Sequence, residues 1–124
     1  IKIILDTNFL VYCAENKIDY KEEIMSLMNE GYELVVPEQV VDELRDISQN
    51  SKKLSDRSAA FLALKLLEHN KVNVVRAEGK YADEAIINLV RIGNIVATLD
   101  FGLRKKLKNS RKIVILGKRK LAFE

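Results

Sequence analysis

Four acidic residues occupy positions where a carboxylate is well placed to do chemistry. Asp6 and Asp100 each follow a run of apolar residues, so both are expected at the ends of buried strands. Glu43 lies at the border of the apolar face of a predicted helix, which favours partial burial. Asp83 lies inside such a face, where an unpaired carboxylate is costly. Taken alone, each strand-end aspartate can also be a helix N-cap, and Asp83 can be a first-turn acid favoured by the helix dipole.

The chemistry that these acids could support together is the binding of a divalent cation. Four carboxylates in one pocket would repel one another, and a hard cation would relieve that repulsion. Oxygen ligands suit Mg²⁺ or Mn²⁺, whereas a chain with only His69 and Cys13 as nitrogen and sulfur ligands argues against Zn²⁺. Thr98 and Asn8 could add a hydroxyl and an amide to the site. Such a site can activate water and neutralise a phosphodiester during hydrolysis.

The four acids meet only if the fold brings distant segments to one edge. Apolar strands alternate with segments of helical period, which predicts an α/β fold: a three-layer α/β/α domain with a parallel sheet of roughly five strands. Strands are predicted at residues 1–5, 32–36, 72–75, 95–99 and 113–116, with a brief tail strand near Leu121. Helices are predicted through residues 9–11 and at about 20–29, 38–48, 56–69, 81–91 and 101–108. In such sheets, sites form at the carboxyl ends of the strands, where Asp6 and Asp100 are expected.

Composition limits the class of protein. The chain has 124 residues, 48% of them hydrophobic and 31% charged, which predicts one globular domain over residues 1–124 and excludes wholesale disorder. No apolar run approaches the roughly 18 residues of a membrane span, so no membrane partner is expected. A single cysteine fits a reducing compartment, and we expect a cytoplasmic protein.

Charge is distributed unevenly along the chain. Residues 104–124 hold nine bases and one acid, a net charge of +8, whereas residues 1–103 hold 12 bases and 17 acids, a net charge of −5. A basic segment of this kind is either a solvated surface or a site for a polyanion. The residues predicted to bind nucleic acid are Arg104, Lys105, Lys108, Lys118 and Arg119.

Four segments of the sequence resemble the PIN-domain nucleases. They are Ile-Leu-Asp-Thr-Asn at 4–8, Val-Pro-Glu-Gln-Val-Val-Asp-Glu-Leu at 36–44, Ala-Asp-Glu-Ala-Ile at 82–86 and Val-Ala-Thr-Leu-Asp at 96–100. In that family, the corresponding acids form a metal-binding pocket. The resemblance implies that role, catalytic and metal-binding, for Asp6, Glu43, Asp83 and Asp100.

Within the family, the basic C-terminal part resembles the compact archaeal PIN proteins, which are related to the nuclease of small-subunit ribosomal RNA processing. The VapC-type toxin ribonucleases form the other branch and share the acids. Two positions depart from the family pattern. Leu99 stands where many relatives have Asn, and Phe101 stands where a polar or charged residue is usual.

The resemblance implies a metal-dependent endoribonuclease that uses Mg²⁺ or Mn²⁺ and acts in ribosomal RNA processing. Asp6 and Asp100 would orient the attacking water, while Glu43 and Asp83 would complete the acidic pocket. Two alternatives stay open: a non-catalytic RNA-binding scaffold in ribosome assembly, and a VapC-type toxin paired with an antitoxin. The expected partners are RNA, such as a ribosomal RNA precursor, together with a second copy of the chain, a ribosome-assembly partner or an antitoxin.

Overall fold

The computed structural model describes residues 1–124 without a gap, and strands and helices alternate along most of the chain. In chain order, the elements are β1 (Lys2–Leu5), α1 (Thr7–Glu15), α2 (Tyr20–Leu27), β2 (Glu33–Pro37), α3 (Glu38–Asn50), α4 (Leu54–His69), β3 (Asn73–Val75), α5 (Ala82–Val90), β4 (Ile95–Ala97), α6 (Phe101–Lys106), β5 (Lys112–Leu116) and β6 (Lys120–Phe123). None of the helices combines the length and the apolar character that crossing a membrane requires.

The strands form one sheet in the order β3-β2-β1-β4-β5-β6. Five of them are parallel, which confirms the predicted α/β architecture, but the sheet has six strands rather than roughly five. The tail segment near Leu121 is a full strand, β6, that runs antiparallel to β5. The chain reverses there because Gly117 takes a left-handed backbone conformation with φ of 61°, which glycine adopts without steric cost.

The core lies on both faces of the central strands. Ile3, Ile4 and Leu5 of β1 are fully buried, as expected for a strand of a parallel sheet that helices cover on both sides. Helix α4 packs against α1 and α3, while α5 contacts β1, β2 and β4. The rings of Phe9 and Tyr20 meet edge to face with their centroids 6.2 Å apart.

The register of the sheet brings the ends of β1 and β4 side by side. Leu5 pairs with Ala97, and the Asp6 N–H donates to the Ala97 carbonyl at 3.0 Å. Ala97 in turn pairs with Ile113 of β5, which continues for three further residues, roughly 10 Å at 3.3 Å per residue. The hairpin of β5 and β6 therefore projects past the edge where β1 and β4 end.

A loop between β3 and α5 is fixed by a side chain from α3. The Gln39 Nε2 donates to the carbonyls of Ala77 at 2.8 Å and of Gly79 at 2.6 Å. Gly79 has a φ of 136°, and a Cβ at this position would lie 2.7 Å from the Cβ of Glu84. The chain thus enters α5 through a position that only glycine fits.

Replacing Gly79 by Ala is expected to lower the free energy of unfolding by at least about 2 kcal/mol, because the substitution combines an unfavourable φ with a steric clash. Chemical denaturation measures this change. The matched control is Gly31→Ala, where an added Cβ would meet nothing within 4 Å. Equal stability of the two variants would contradict the assignment of Gly79 as a required glycine.

Candidate active site

Asp6 is a buried acid at the edge of the sheet where β1 and β4 end. It directly follows β1 and caps α1, and only 3% of its surface is exposed. Its Oδ1 accepts from the Thr7 N–H at 2.8 Å, and its Oδ2 accepts from the Thr98 hydroxyl at 2.7 Å. The residue is therefore a helix N-cap and a buried carboxylate at a strand end at the same time, so the two interpretations of the sequence do not exclude each other.

The environment of Asp6 disfavours its ionised form. Burial raises the pKa of its carboxyl from the ordinary value of 3.8 to about 6. The hydrogen bonds from Thr98 and Thr7 act in the opposite direction, and the negative charges of Asp83 and Glu43 add to the rise. The effect of these two acids on Asp6 places both of them in its electrostatic neighbourhood, although they come from α5 and α3.

Thr98 joins Asp6 to Asp100. The Thr98 side chain is fully buried, and its hydroxyl both donates to Asp6 and accepts from the Asp100 N–H at 3.0 Å. Asp100 is half-buried and caps α6, with its Oδ1 accepting from the Leu103 N–H at 3.1 Å. A single hydroxyl thus fixes the relative positions of the two strand-end acids.

Glu43 is exposed, so the prediction of partial burial was wrong. The border of the apolar face of α3 opens to solvent at this point, and the carboxylate reaches across to the beginning of α5. There its Oε2 accepts from the Ala82 N–H at 3.3 Å. Because Tyr81 provides no side-chain cap, Glu43 supplies the acceptor that the first turn of α5 otherwise lacks. Asp83 lies half-buried in that same turn.

Asp6 is linked to Asp100 through Thr98 and feels the charges of Asp83 and Glu43, but the four side chains do not form a ready-made metal site. No group of three or more His, Cys, Asp or Glu side chains is arranged to hold a metal ion. The available ligand atoms are carboxylate and hydroxyl oxygens, which suit a hard cation, and the Thr7 hydroxyl beside Asp6 is buried without a hydrogen-bond partner. The residues therefore fit such a cation chemically, and binding would require the less buried acids to turn toward Asp6. Asn8, predicted as a supporting ligand, is exposed in the first turn of α1.

Two of the predicted nucleic-acid-binding residues already have partners within the chain. The Arg104 guanidinium forms an ion pair with both carboxylate oxygens of Glu124, and it lowers the pKa of that carboxyl. The Arg119 guanidinium donates to the carbonyls of Asn16 and Lys17 at the end of α1. Both arginines thus hold parts of the fold together.

The three lysines predicted for the same role are exposed and lie outside the ion pairs of the structure. Lys105 and Lys108 belong to α6 and the turn after it, and Lys118 belongs to the turn between β5 and β6. Lys112 of the same basic segment is buried instead, with its ammonium donating to the Ser110 carbonyl at 2.8 Å. The basic segment is therefore only partly available to a polyanion.

Sequence reasoning missed Gln39, and it did not anticipate that Glu43 also holds the first turn of α5. Gln39 and Glu43 lie one turn apart on α3 and together fix the loop and the first turn that carry Asp83. The sequence offered one sign of a constrained loop here, which is Gly79 shortly before the helix predicted at 81–91. A surface cavity of about 470 Å³ between α3, α4 and β3 is lined by none of the four acids.

A model of the family described as "PIN like domain" matches residues 3–120. Ribonuclease VapC4 of Methanocaldococcus jannaschii is 35% identical over an alignment of 126 positions, which covers 99% of this chain and 95% of the relative.

Solved structures show the same fold at lower sequence identity. The PIN domain endonuclease Utp24 superposes with a TM-score of 0.79 at 23% identity, over 99% of this chain and 90% of that one. VapBC-1 from nontypeable Haemophilus influenzae gives a TM-score of 0.62 at 16% identity, over 90% of this chain and 96% of that one. VapBC2 from Rickettsia felis, bound to a DNA fragment, gives a TM-score of 0.56 at 14% identity, over 94% of this chain and 100% of that one.

Replacing Asp6 by Asn is expected to stabilise the metal-free protein at pH 7.5. The pKa of the Asp6 carboxyl is about 6 in the folded protein, higher than the ordinary 3.8 of an unfolded chain. The stabilising contribution of Asp6 to the free energy of unfolding is therefore fully present below pH 3.8, and it is lost as the pH rises through about 6. The loss amounts to at most about 3 kcal/mol. The variant should match the wild type at pH 4 and exceed it by roughly 1–3 kcal/mol at pH 7.5.

Urea unfolding with a chelator at both pH values measures this difference. Asp42→Asn is the matched control, since Asp42 is an exposed carboxylate on α3, and it should show no gain that depends on pH. An Asp6→Asn variant whose stability follows the wild type at both pH values would show that Asp6 is not held in an unfavourable ionised state.

Proposed function

We propose that this chain, which belongs to the PIN-like domain family, is a metal-dependent ribonuclease. Its proposed site is the edge formed by Asp6, Glu43, Asp83 and Asp100. The observation that carries the proposal is the buried Asp6 carboxylate, whose pKa is raised with contributions from Asp83 and Glu43. Ionised carboxylates that are buried and clustered in this way destabilise the protein, and a bound cation would offset that cost. The 35% identity to a ribonuclease over almost the whole chain supports RNA as the substrate.

The cation that suits these residues is Mg²⁺ or Mn²⁺, held by the four acids, with Thr98 and Asn8 in supporting roles. When bound, it would supply a positive charge against the phosphodiester and make water a stronger nucleophile. The protein's own contribution is orientation. Thr98 fixes the direction of the Asp6 carboxylate and the backbone of Asp100 through one hydroxyl. Glu43 joins α3 to the first turn of α5, so Asp83 keeps its place beside Asp6.

An RNA backbone that approaches four acids needs positive charge of its own. We assign this role first to Lys105, Lys108 and Lys118, because their ammoniums lie outside the ion pairs of the fold. Arg104 and Arg119 would join only by giving up or sharing their present partners. Affinity for RNA should then fall steeply as the salt concentration rises.

Of the two cellular roles that the sequence resemblance implied, the comparisons favour the VapC-type ribonuclease over ribosomal RNA processing. The relative that is 35% identical is named Ribonuclease VapC4. The likeness to Utp24, at 23% identity, concerns the fold alone. An antitoxin is accordingly the protein partner that we favour over a ribosome-assembly partner, and a second copy of the chain stays a prediction.

The Glu43→Gln variant tests the proposed site against its neighbour on the same helix. We expect it to lower the rate of Mn²⁺- or Mg²⁺-dependent RNA cleavage by at least about a hundredfold, since losing even a residue that supports a metal ligand costs about 10- to 100-fold. Asp42→Asn removes one negative charge from the adjacent, exposed position and should cleave like the wild type. Cleavage of a labelled RNA, with and without a chelator, measures both.

Two results would contradict the proposal. Cleavage that survives the chelator would exclude a metal-dependent reaction. RNA binding without cleavage under any metal condition would instead indicate the non-catalytic RNA-binding scaffold.

A further inference from the structure

Three successive carbonyls in the loop before α5 accept hydrogen bonds from side-chain amides. The Gln39 Nε2 donates to the carbonyls of Ala77 at 2.8 Å and Gly79 at 2.6 Å. The Asn88 Nδ2 donates to the Glu78 carbonyl between them at 2.7 Å. Gln39 belongs to α3 and Asn88 to α5, so amides from two helices hold one short loop.

The two helices that share this loop carry two of the four acids. Glu43 lies one turn after Gln39 on α3. Asp83 lies in the first turn of α5, on the same helix as Asn88. The loop therefore fixes the helix segments that carry these two acids relative to each other.

The loop also packs directly on the first turn of α5. A Cβ added to Gly79 would lie 2.7 Å from the Glu84 Cβ and 2.8 Å from the Ala85 N, so no free space separates the two segments. A second link to the same turn comes from Glu43, whose Oε2 accepts from the Ala82 N–H at 3.3 Å. This bond is longer than the usual range for N–H···O bonds, whereas none of the three amide bonds exceeds 2.8 Å.

Cation binding would remove the weaker of these two links. For Glu43 to turn toward a cation at Asp6, its carboxylate would have to leave the Ala82 N–H. The bonds to the loop carbonyls involve no carboxylate, so they can persist beside a bound cation. The loop would then be the side-chain support that the first turn of α5 retains.

We propose that Gln39 and Asn88 are positioning residues for a cation site at the four acids. They hold the first turn of α5, so Asp83 keeps its place while Glu43 turns toward the cation. This inference rests on the proposed function of the same acids. Because the two amides act through the loop, their loss changes how tightly the acids hold a cation.

The other two acids do not depend on this loop. The Thr98 hydroxyl donates to the Asp6 carboxylate and accepts from the Asp100 N–H. Releasing the loop should therefore weaken cation binding rather than abolish it.

Two variants remove the amides without a large change in side-chain volume. Gln39→Met and Asn88→Leu should each weaken Mn²⁺ binding by about 10- to 100-fold, the usual cost of losing a residue that supports a metal ligand. Isothermal titration calorimetry measures this affinity in the absence of RNA. Because both amides act through one loop, the double variant should lose less than the product of the two single losses. The Asn88 bond is exposed to solvent, so Asn88→Leu tests the proposal even if Gln39→Met does not fold.

Amide hydrogen exchange in the presence of a chelator tests the same constraint with no metal bound. The N–H groups of Ala82 and Ala85 donate to Glu43 and to the Tyr81 carbonyl in the first turn of α5. We expect both to exchange at least about tenfold faster in the two amide variants, because a turn that has lost its support opens more often.

The chain provides a matched control at the other end of α5. The Asn94 Nδ2 donates to the Leu89 carbonyl at 3.0 Å, and its Oδ1 accepts from the Lys2 N–H at 3.1 Å. Asn94→Leu thus removes a comparable amide that supports the same helix away from its first turn. Its Mn²⁺ affinity should stay within about twofold of the wild type, since it supports none of the acids. The exchange of Ala82 and Ala85 should not change.

The outcomes are distinct. Equal Mn²⁺ affinity of the Gln39→Met, Asn88→Leu and Asn94→Leu proteins would overturn the inference and leave the proposed function intact. Unchanged exchange of Ala82 and Ala85 in both amide variants would also overturn it, since the loop would then not support the turn. A wild type that binds no Mn²⁺ would overturn the proposed metal-dependent function and the inference with it. Weaker Mn²⁺ binding and faster exchange in the amide variants alone would support the inference.

Discussion

The hydrogen bond between Thr98 and Asp6 is the constraint on which the rest of this site depends. Asp6 is a carboxylate placed among the fully buried ends of two parallel strands, where an isolated charge is strongly disfavoured. The parallel register of β1 and β4 places Thr98 where its hydroxyl can donate to that carboxylate. Because the same oxygen accepts from the Asp100 backbone, the ends of both strands and the beginnings of α1 and α6 are fixed together.

The remaining acids make the site more unfavourable without a cation. Asp83 and Glu43 approach Asp6 from helices that pack against each other, and they push its pKa in the same direction as burial does. A protein that evolved for stability alone would have no reason to collect these charges, and strain of this kind typically marks a functional site. The exposed lysines of the basic segment lie on other elements: Lys105 on α6, Lys108 in the turn after it, and Lys118 in the turn between β5 and β6.

Much of the fold could be predicted because its signals are local. Apolar runs alternating with helical periods predict a parallel sheet, and that sheet places strand-end residues such as Asp6 and Asp100 at one edge. The antiparallel strand β6 was less predictable, since four residues near the end of the chain carry little pattern. Glu43 was wrongly predicted to be partly buried because a helical wheel gives the direction of a side chain but not whether another element covers it.

Contacts between distant segments could not be read from the sequence. Arg104 pairs with Glu124, and Arg119 caps the end of α1, so two residues of the basic segment stabilise the fold. Gln39 holds the loop before α5 by bonds to residues about 40 positions away. These contacts depend on which elements become neighbours, and no local pattern marks them.

A crystal structure of the wild type soaked in Mn²⁺ tests the central claim most directly, through the anomalous difference density of the metal. The proposed site predicts a peak among Asp6, Glu43, Asp83 and Asp100, with these side chains turned toward it, and no such peak in crystals of Asp6→Asn. A protein that cleaves RNA but shows no density among these four carboxylates at saturating Mn²⁺ would contradict it.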